Sequence, residues 1–254
     1  MLTFAMTTTT KLAGLSLYKK DKLLGEIHVE MAKTHSTTIL EQIDSLLKWT
    51  GKKLDEIENV LVSIGPGSFT GVRIAISVVK GLFFGKNVNF YEVNELDALG
   101  YQGYYNLKIN LENDENVKIY SLIDSRKEKI YCSAYEIFCE KAGNKLELVK
   151  NYEVTKLDNV IEEIIENKQN EENNKKIYLI GDAVFNYKAK ILDKLGYFVK
   201  IFEDKNLAIN TMTYVEMFLD ENFKNDDVIG LKKTDIFNLK PDYLEKSQAE
   251  RDKK

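Results

Sequence analysis

The chain has 254 residues, of which 44% are hydrophobic and 30% charged, and its formal net charge is −4. That balance describes a soluble globular protein long enough to bury a substantial core without disulfides or metals. It provides no strongly basic surface, so direct tight gripping of nucleic-acid phosphates is not expected.

Residues 2–8, 12–17 and 23–29 read as strands, and the polar turn Tyr18-Lys19-Lys20-Asp21-Lys22 between the last two predicts an antiparallel meander. A helix is predicted over 36–50, where Ile39, Leu40, Ile43, Leu46 and Leu47 share one face. Ser36 is its expected N-cap, and Gly51 is placed to end it in a left-handed turn. Val60-Leu61-Val62-Ser63-Ile64 is an apolar run suited to a strand buried on both faces. Gly65-Pro66-Gly67-Ser68-Phe69-Thr70-Gly71 breaks that run, and a second helix is predicted over about 70–85.

The second half repeats the order. Strands are predicted at 119–124, 129–138 and 145–152, then a helix at 158–167 with Leu157, Val160, Ile161, Ile164 and Ile165 on its apolar face. A strand at 176–180 ends at Gly181, and a helix follows at 187–195. Two copies of βββαβα predict an α/β protein of two lobes, 1–101 and 102–254, with the duplicated actin-like ATPase (ribonuclease-H-like) fold. Residues 166–175 read as a solvated loop, a last helix is expected near 211–223, and 251–254 read as a frayed tail.

Two features stand out. The first is the glycine turn. Glycines permit positive φ and close backbone approach, Ser68 or Thr70 can cap the following helix, and a helix N-terminus can hold an anion. Gly65, Gly67, Ser68, Thr70 and Gly71 are therefore candidate phosphate- or nucleotide-proximal residues. The alternative is a tight turn whose glycines serve packing alone. No Gly-Lys-Ser/Thr follows, so the segment is not a P-loop. The second feature is the 70–85 helix. Val72, Ile74, Ala75, Ile76, Val78, Val79, Leu82, Phe83 and Phe84 leave almost no polar face, so a second lobe or another chain is expected to cover it.

The stretch Ser63-Ile64-Gly65-Pro66-Gly67-Ser68-Phe69-Thr70-Gly71-Val72-Arg73-Ile74 resembles the signature of the TsaB family. Thr34-His35-Ser36 with Ile39-Leu40 resembles the segment before that family's first helix, and Ile123-Asp124-Ser125-Arg126-Lys127-Glu128-Lys129-Ile130-Tyr131 resembles its Asp-Ala-Arg segment. Pro241-Asp242-Tyr243-Leu244 with Lys246-Ser247-Gln248-Ala249-Glu250 resembles its C-terminal motif. The resemblance implies a degenerate actin-like protein that pairs with the catalytic subunit TsaD. With the ATPase TsaE, that complex transfers threonylcarbamoyl to the adenosine beside the anticodon of tRNAs reading codons that begin with A. It implies a non-catalytic subunit with no cofactor of its own, ATP or ADP and a metal residing in the partner subunits. tRNA is reached only through the complex, and a homodimer forms in isolation. Mapped onto this chain, the partner interface is expected at Ser36, Ile39, Leu40, Ile43, Leu47, Val72, Arg73, Ile76, Val79, Lys80 and Phe83.

Catalytic signals are weak. An actin-like ATPase places an acid at the end of its first strand to hold Mg²⁺. Here that stretch is Ala5-Met6-Thr7-Thr8-Thr9-Thr10, which reads as β-propensity or as hydroxyls able to bind phosphate. His28 and His35 lie seven apart and are not expected to form a metal site. Asp124-Ser125-Arg126 reads as an Asx-type turn or a phosphate contact. No Ser-His-Asp or Cys-His set can be assembled. Cys132 and Cys139 form no CxxC pair, the N-terminus lacks a signal peptide, and the longest apolar run, broken by Arg73 and Lys80, is too short for a membrane span. A cytoplasmic protein without membrane attachment is expected. The competing readings are a stand-alone nucleotide-binding ATPase or kinase-like enzyme and a homodimeric binding module.

Overall fold

The structure, a computed structural model, describes residues 1–30, 38–109, 111, 116–140, 143–169, 175–202, 207–224 and 229–244. In chain order its elements are β1 (Leu2–Thr7), β2 (Leu12–Lys19), β3 (Lys22–Glu30), α1 (Ile39–Thr50), β4 (Asn59–Gly65), α2 (Phe69–Phe83), β5 (Asn89–Asn94) and α3 (Glu95–Leu107). There follow β6 (Val117–Asp124), β7 (Lys129–Glu140), β8 (Gly143–Lys156), α4 (Leu157–Gln169), β9 (Lys176–Ile180), α5 (Asp182–Asn186), α6 (Lys188–Leu195), β10 (Val199–Ile201), α7 (Thr211–Leu219), α8 (Glu221–Lys224) and β11 (Leu231–Thr234).

The first sheet has the strand order β11-β5-β4-β1-β2-β3, and the second β10-β9-β6-β7-β8. β1 pairs antiparallel with β2 and parallel with β4, and β6 pairs antiparallel with β7 and parallel with β9. The same five-strand order therefore occurs twice, with β11 added to the first sheet, as the duplicated α/β, actin-like reading requires. The chain divides into two compact units, 1–95 with the segment from Asn210 on, and 96–209. The C-terminal segment thus clusters with the first unit, whereas the chain-order reading placed all of 102–254 in the second lobe.

In the first unit, β1 sends alternate side chains to two sides. Leu2, Phe4 and Met6 enter an apolar cluster with Leu15, Leu17, Ile39, Ile43, Leu46, Val60, Val62, Val72, Ile76, Val79 and Phe83. α1 and α2 thus share one core against one sheet face. On the other side, Thr3, Ala5 and Thr7 are buried near α7, which contacts β1 and β2. α1 ends at Gly51 with φ 63°, whose N–H reaches back to Leu47 and Lys48 carbonyls. Thr38 occupies its N-cap position; the predicted cap Ser36 lies outside the described residues. Ser68 caps α2 by accepting from the Gly71 N–H at 3.3 Å.

In the second unit, Tyr120, Leu122, Cys132 and Ala134 of the sheet pack with Leu157, Val160, Ile161 and Ile164 of α4 and with Ile191 and Leu195 of α6. The predicted helix over 187–195 is α6, and a short helix that the sequence reading left out, α5, precedes it, with the chain turning at Tyr187 between them.

Most of the side chains expected at a partner surface on α1 and α2 lie in the unit's own core. Ile39, Ile43, Val72, Ile76, Val79 and Phe83 are all at most 5% exposed and belong to the unit's own core. The helix is not apolar all round: Thr70, Arg73, Ser77 and Gly81 point outward, and these small or polar residues share one face at three- and four-residue spacing. The sheet, α1 and the buried Leu239 cover the remainder. Phe83 lies with its ring 6.3 Å from those of both Phe4 and Phe90. Phe83→Ala should therefore lower unfolding stability by about 3–5 kcal/mol in urea titrations of the chain alone; an interface residue would show little loss without its partner.

Candidate functional site

Parallel strands β1, β4 and β5 direct their carboxyl ends to one edge of the first sheet, the side on which open α/β sheets take ligands. The glycine turn after β4, the threonine run after β1 and the first residue of α3 meet there. Gly67 and Gly71 are required for packing. A Cβ at Gly67 would lie 2.6 Å from the Thr9 carbonyl oxygen, and one at Gly71 would run into the Thr8 carbonyl oxygen. Ser68 N–H donates to the Thr9 carbonyl at 2.6 Å, and the Thr8 hydroxyl donates to the Gly71 carbonyl at 2.6 Å. The first turn of α2 is thus joined to the backbone following β1. The glycines at 67 and 71 serve this close packing; Ser68 is spent on its own helix and Gly71 lies under Thr8, while Thr70 is exposed.

Arg73 is exposed but engaged. Its Nε donates to the Tyr243 hydroxyl at 2.7 Å, and its guanidinium sits 3.8 Å from the centre of the Phe69 ring, which stacks on Tyr243 at 4.8 Å. Asp242 N–H donates to the Ile64 carbonyl at 2.9 Å, so the Pro241-Asp242-Tyr243 segment docks on the glycine turn. Farther along, Lys80 Nζ donates to the Phe237 carbonyl at 3.4 Å, and Phe84 meets Phe237 edge-on at 6.1 Å. Residues 235–243 therefore run alongside α2 from its last turn to its first, and take both cations assigned to a partner.

The sequence reading finds no acid at the end of β1, but one arrives from elsewhere. Glu95, fully buried, accepts hydrogen bonds from Thr7 Oγ1 at 2.5 Å, from Thr9 Oγ1, and from the Tyr214 hydroxyl at 2.7 Å, with Ser63 facing the same carboxyl. Burial raises its pKa above the ordinary carboxylate value, and the four hydroxyls oppose that rise without cancelling it. A lone Glu after a strand, in Val93-Asn94-Glu95-Leu96, carries no local signal of this role; the threonine run was the visible half of the pair. These residues do not fit a magnesium-bound nucleotide, because the carboxyl oxygens are already held by hydroxyl donors and burial favours the protonated form. A surface pocket of about 250 Å³, lined by Leu54, Asp55, Ile57, Lys86, Asn87 and Val88, lies at the opposite, amino ends of β4 and β5.

In the second unit, Asp124 accepts from Arg126 N–H at 2.7 Å, Asn186 Nδ2 at 2.9 Å and the Tyr187 hydroxyl at 3.2 Å, while its own N–H donates to Asp182 at 2.9 Å. This is the Asx-type turn, and its carboxylate is occupied in holding a loop where Arg126, Lys127 and Glu128 all have positive φ. His28 is half-buried, and burial lowers its pKa; His35 lies outside the described residues. Among the described residues no group of three or more His, Cys, Asp or Glu side chains converges as a metal site. Among the described residues no helix is long and apolar enough to cross a membrane.

With this geometry in place, comparison with known proteins is direct. The family profile of TsaD, tRNA N6-adenosine threonylcarbamoyltransferase, matches residues 23–219. The chain belongs to this family. Within it, the likeness is to proteins named TsaB, tRNA threonylcarbamoyladenosine biosynthesis protein. The one from Bacillus subtilis is 23% identical over 98% of this chain and 96% of its own length. The one from Haemophilus influenzae is 31% identical over 130 residues, 51% of each chain. Among solved structures, a Pseudomonas aeruginosa protein described as similar to peptidase YEAZ superposes with a TM-score of 0.67 at 18% identity, covering 96% of this chain and 99% of that one. The TsaB resemblance read from the glycine turn and the C-terminal motif therefore holds over the whole chain.

Two outcomes follow from the site. Gly71→Ala should lose about 1–3 kcal/mol, since the Thr8 backbone cannot move aside cheaply, and chemical unfolding would measure it. Glu95 stabilises the fold most below the pKa of an unfolded glutamate, about 4.3, and that contribution is lost as pH rises through the raised folded value. Unfolding free energy measured from pH 4 to 9 should fall less steeply in Glu95→Gln than in the parent.

Proposed function

We propose that this chain is a non-catalytic subunit in the biosynthesis of threonylcarbamoyladenosine in tRNA, pairing with a TsaD homologue and working with a TsaE homologue. The end-to-end similarity to a TsaB protein carries this reading. In it, threonylcarbamoyl goes to the adenosine beside the anticodon of tRNAs reading codons that begin with A, while ATP and metal chemistry belongs to the partner subunits. tRNA is contacted through the complex, in the cytoplasm.

The surface that supports pairing is narrower than the sequence pattern implies. The side chains of Ile39, Ile43, Val72, Ile76, Val79 and Phe83 are used by the core, and Arg73 and Lys80 by residues 235–243. What remains is Leu40, 52% exposed on α1, the half-buried Leu47 about two turns along, and on α2 the half-buried Ile74 and Val78 beside Ser77 and Gly81. A Cβ at Gly81 would meet nothing within 4 Å. Small residues between apolar ones let another helix approach closely, as ridges-into-grooves packing requires. The same face can pair two copies of this chain when the partner is missing.

Leu40→Asp and Ser77→Arg should each reduce capture of the TsaD homologue at least tenfold while leaving the thermal midpoint of the isolated chain unchanged. Capture that persists in both variants would show that pairing uses another surface. Reconstituted tRNA modification with and without the chain tests the functional assignment itself: equal product in both would overturn it.

A further inference from the structure

The threonine run does more than extend a strand. Thr7 and Thr9 hydroxyls, 3.0 Å apart, both donate to Oε1 of Glu95, and Tyr214 donates to Oε2. Thr7, Glu95, Ser63 and Tyr214 are each 0% exposed and Thr9 is 1% exposed. The groups that face the carboxyl from β1, β4 and α7 are hydroxyls, and Tyr214 is the one among them that titrates. One acid gives the Thr7, Thr9, Ser63 and Tyr214 hydroxyls a shared acceptor. Without the acid, the Thr9 and Tyr214 hydroxyls lose their acceptor in a buried place. With two acids, like charges are forced together and must share a proton.

We propose that the carboxyl ends of β1, β4 and β5 enclose a slot for one carboxyl group, filled from the head of α3 by Glu95, and that Thr7 and Glu95 are an exchangeable pair across it. Their bonded atoms are 2.5 Å apart, so an acid carried by residue 7 reaches nearly the point that the Glu95 carboxyl now occupies. Aspartate is close to threonine in size and fits the β1 position. A serine at 95 vacates the room the longer acid held and leaves a hydroxyl in exchange. The slot then keeps one carboxyl and its donors, with the acid now belonging to the strand.

The experiment is a double-mutant cycle in the full chain, Thr7→Asp, Glu95→Ser and the two combined, with thermal midpoints measured across pH. Each single change should lower the midpoint, and the combination should recover more than half of the summed loss. The Thr7→Asp loss should deepen as pH rises above about 4, where a second carboxyl begins to ionise, and that deepening should vanish in the combined variant. Losses that simply add, or a Thr7→Asp variant with no loss at any pH, overturn the proposal. If a single variant fails to fold, the combined variant decides: a folded double supports the exchange, and an unfolded double overturns it.

Discussion

The backbone that leaves β1 passes directly against the first turn of α2, and the arrangement of the first unit depends on that contact. Side chains at 67 and 71 would collide with the carbonyls of Thr9 and Thr8, so these positions are glycine for a steric reason. Once the contact is made, the Ser68 and Thr8 bonds hold the helix end. The apolar side of α2, from Val72 to Phe83, then falls on the sheet face formed by Phe4, Met6, Val60 and Val62. A helix held this way has no freedom to present its core side chains to another protein.

The same contact shapes the chemistry of the strand ends. A helix N-terminus after a glycine turn can serve as an anion site, and here Ser68 caps the Gly71 N–H while the Thr8 carbonyl lies against Gly71. The acid at this edge is Glu95, buried among hydroxyls rather than offered to solvent. The role proposed from its TsaB relatives is to contribute a surface to a tRNA-modifying assembly.

Residues 235–243 complete the first unit from the far end of the sequence. Leu239 fills the α2 core, Phe237 and Tyr243 take the two ends of the helix, and Arg73 is held over the Phe69 ring and by the Tyr243 hydroxyl. The outer face of α2 that stays open is consequently a strip of small and modestly apolar residues, Ile74, Ser77, Val78 and Gly81. Its character is set as much by what the C-terminal segment covers as by the helix itself.

Local pattern determined a great deal. Hydrophobic periodicity located β1 to β4, α1, α2 and their second-half counterparts, because a residue's burial within one element follows from period alone. Gly51 and Ser68 marked helix ends because capping is a local geometry. The order of elements was enough for the duplicated fold. What the pattern could not settle was which body covers an apolar surface: Val72, Ile76, Val79 and Phe83 look alike whether they meet a sheet or a partner. The pairing of Thr7 with Glu95, 88 residues away, and of Arg73 with Tyr243, 170 residues away, was equally out of reach. Those contacts exist only once the sheet brings distant strand ends together, so tertiary structure alone decided where the acid sits and which face of the helix pair is left exposed.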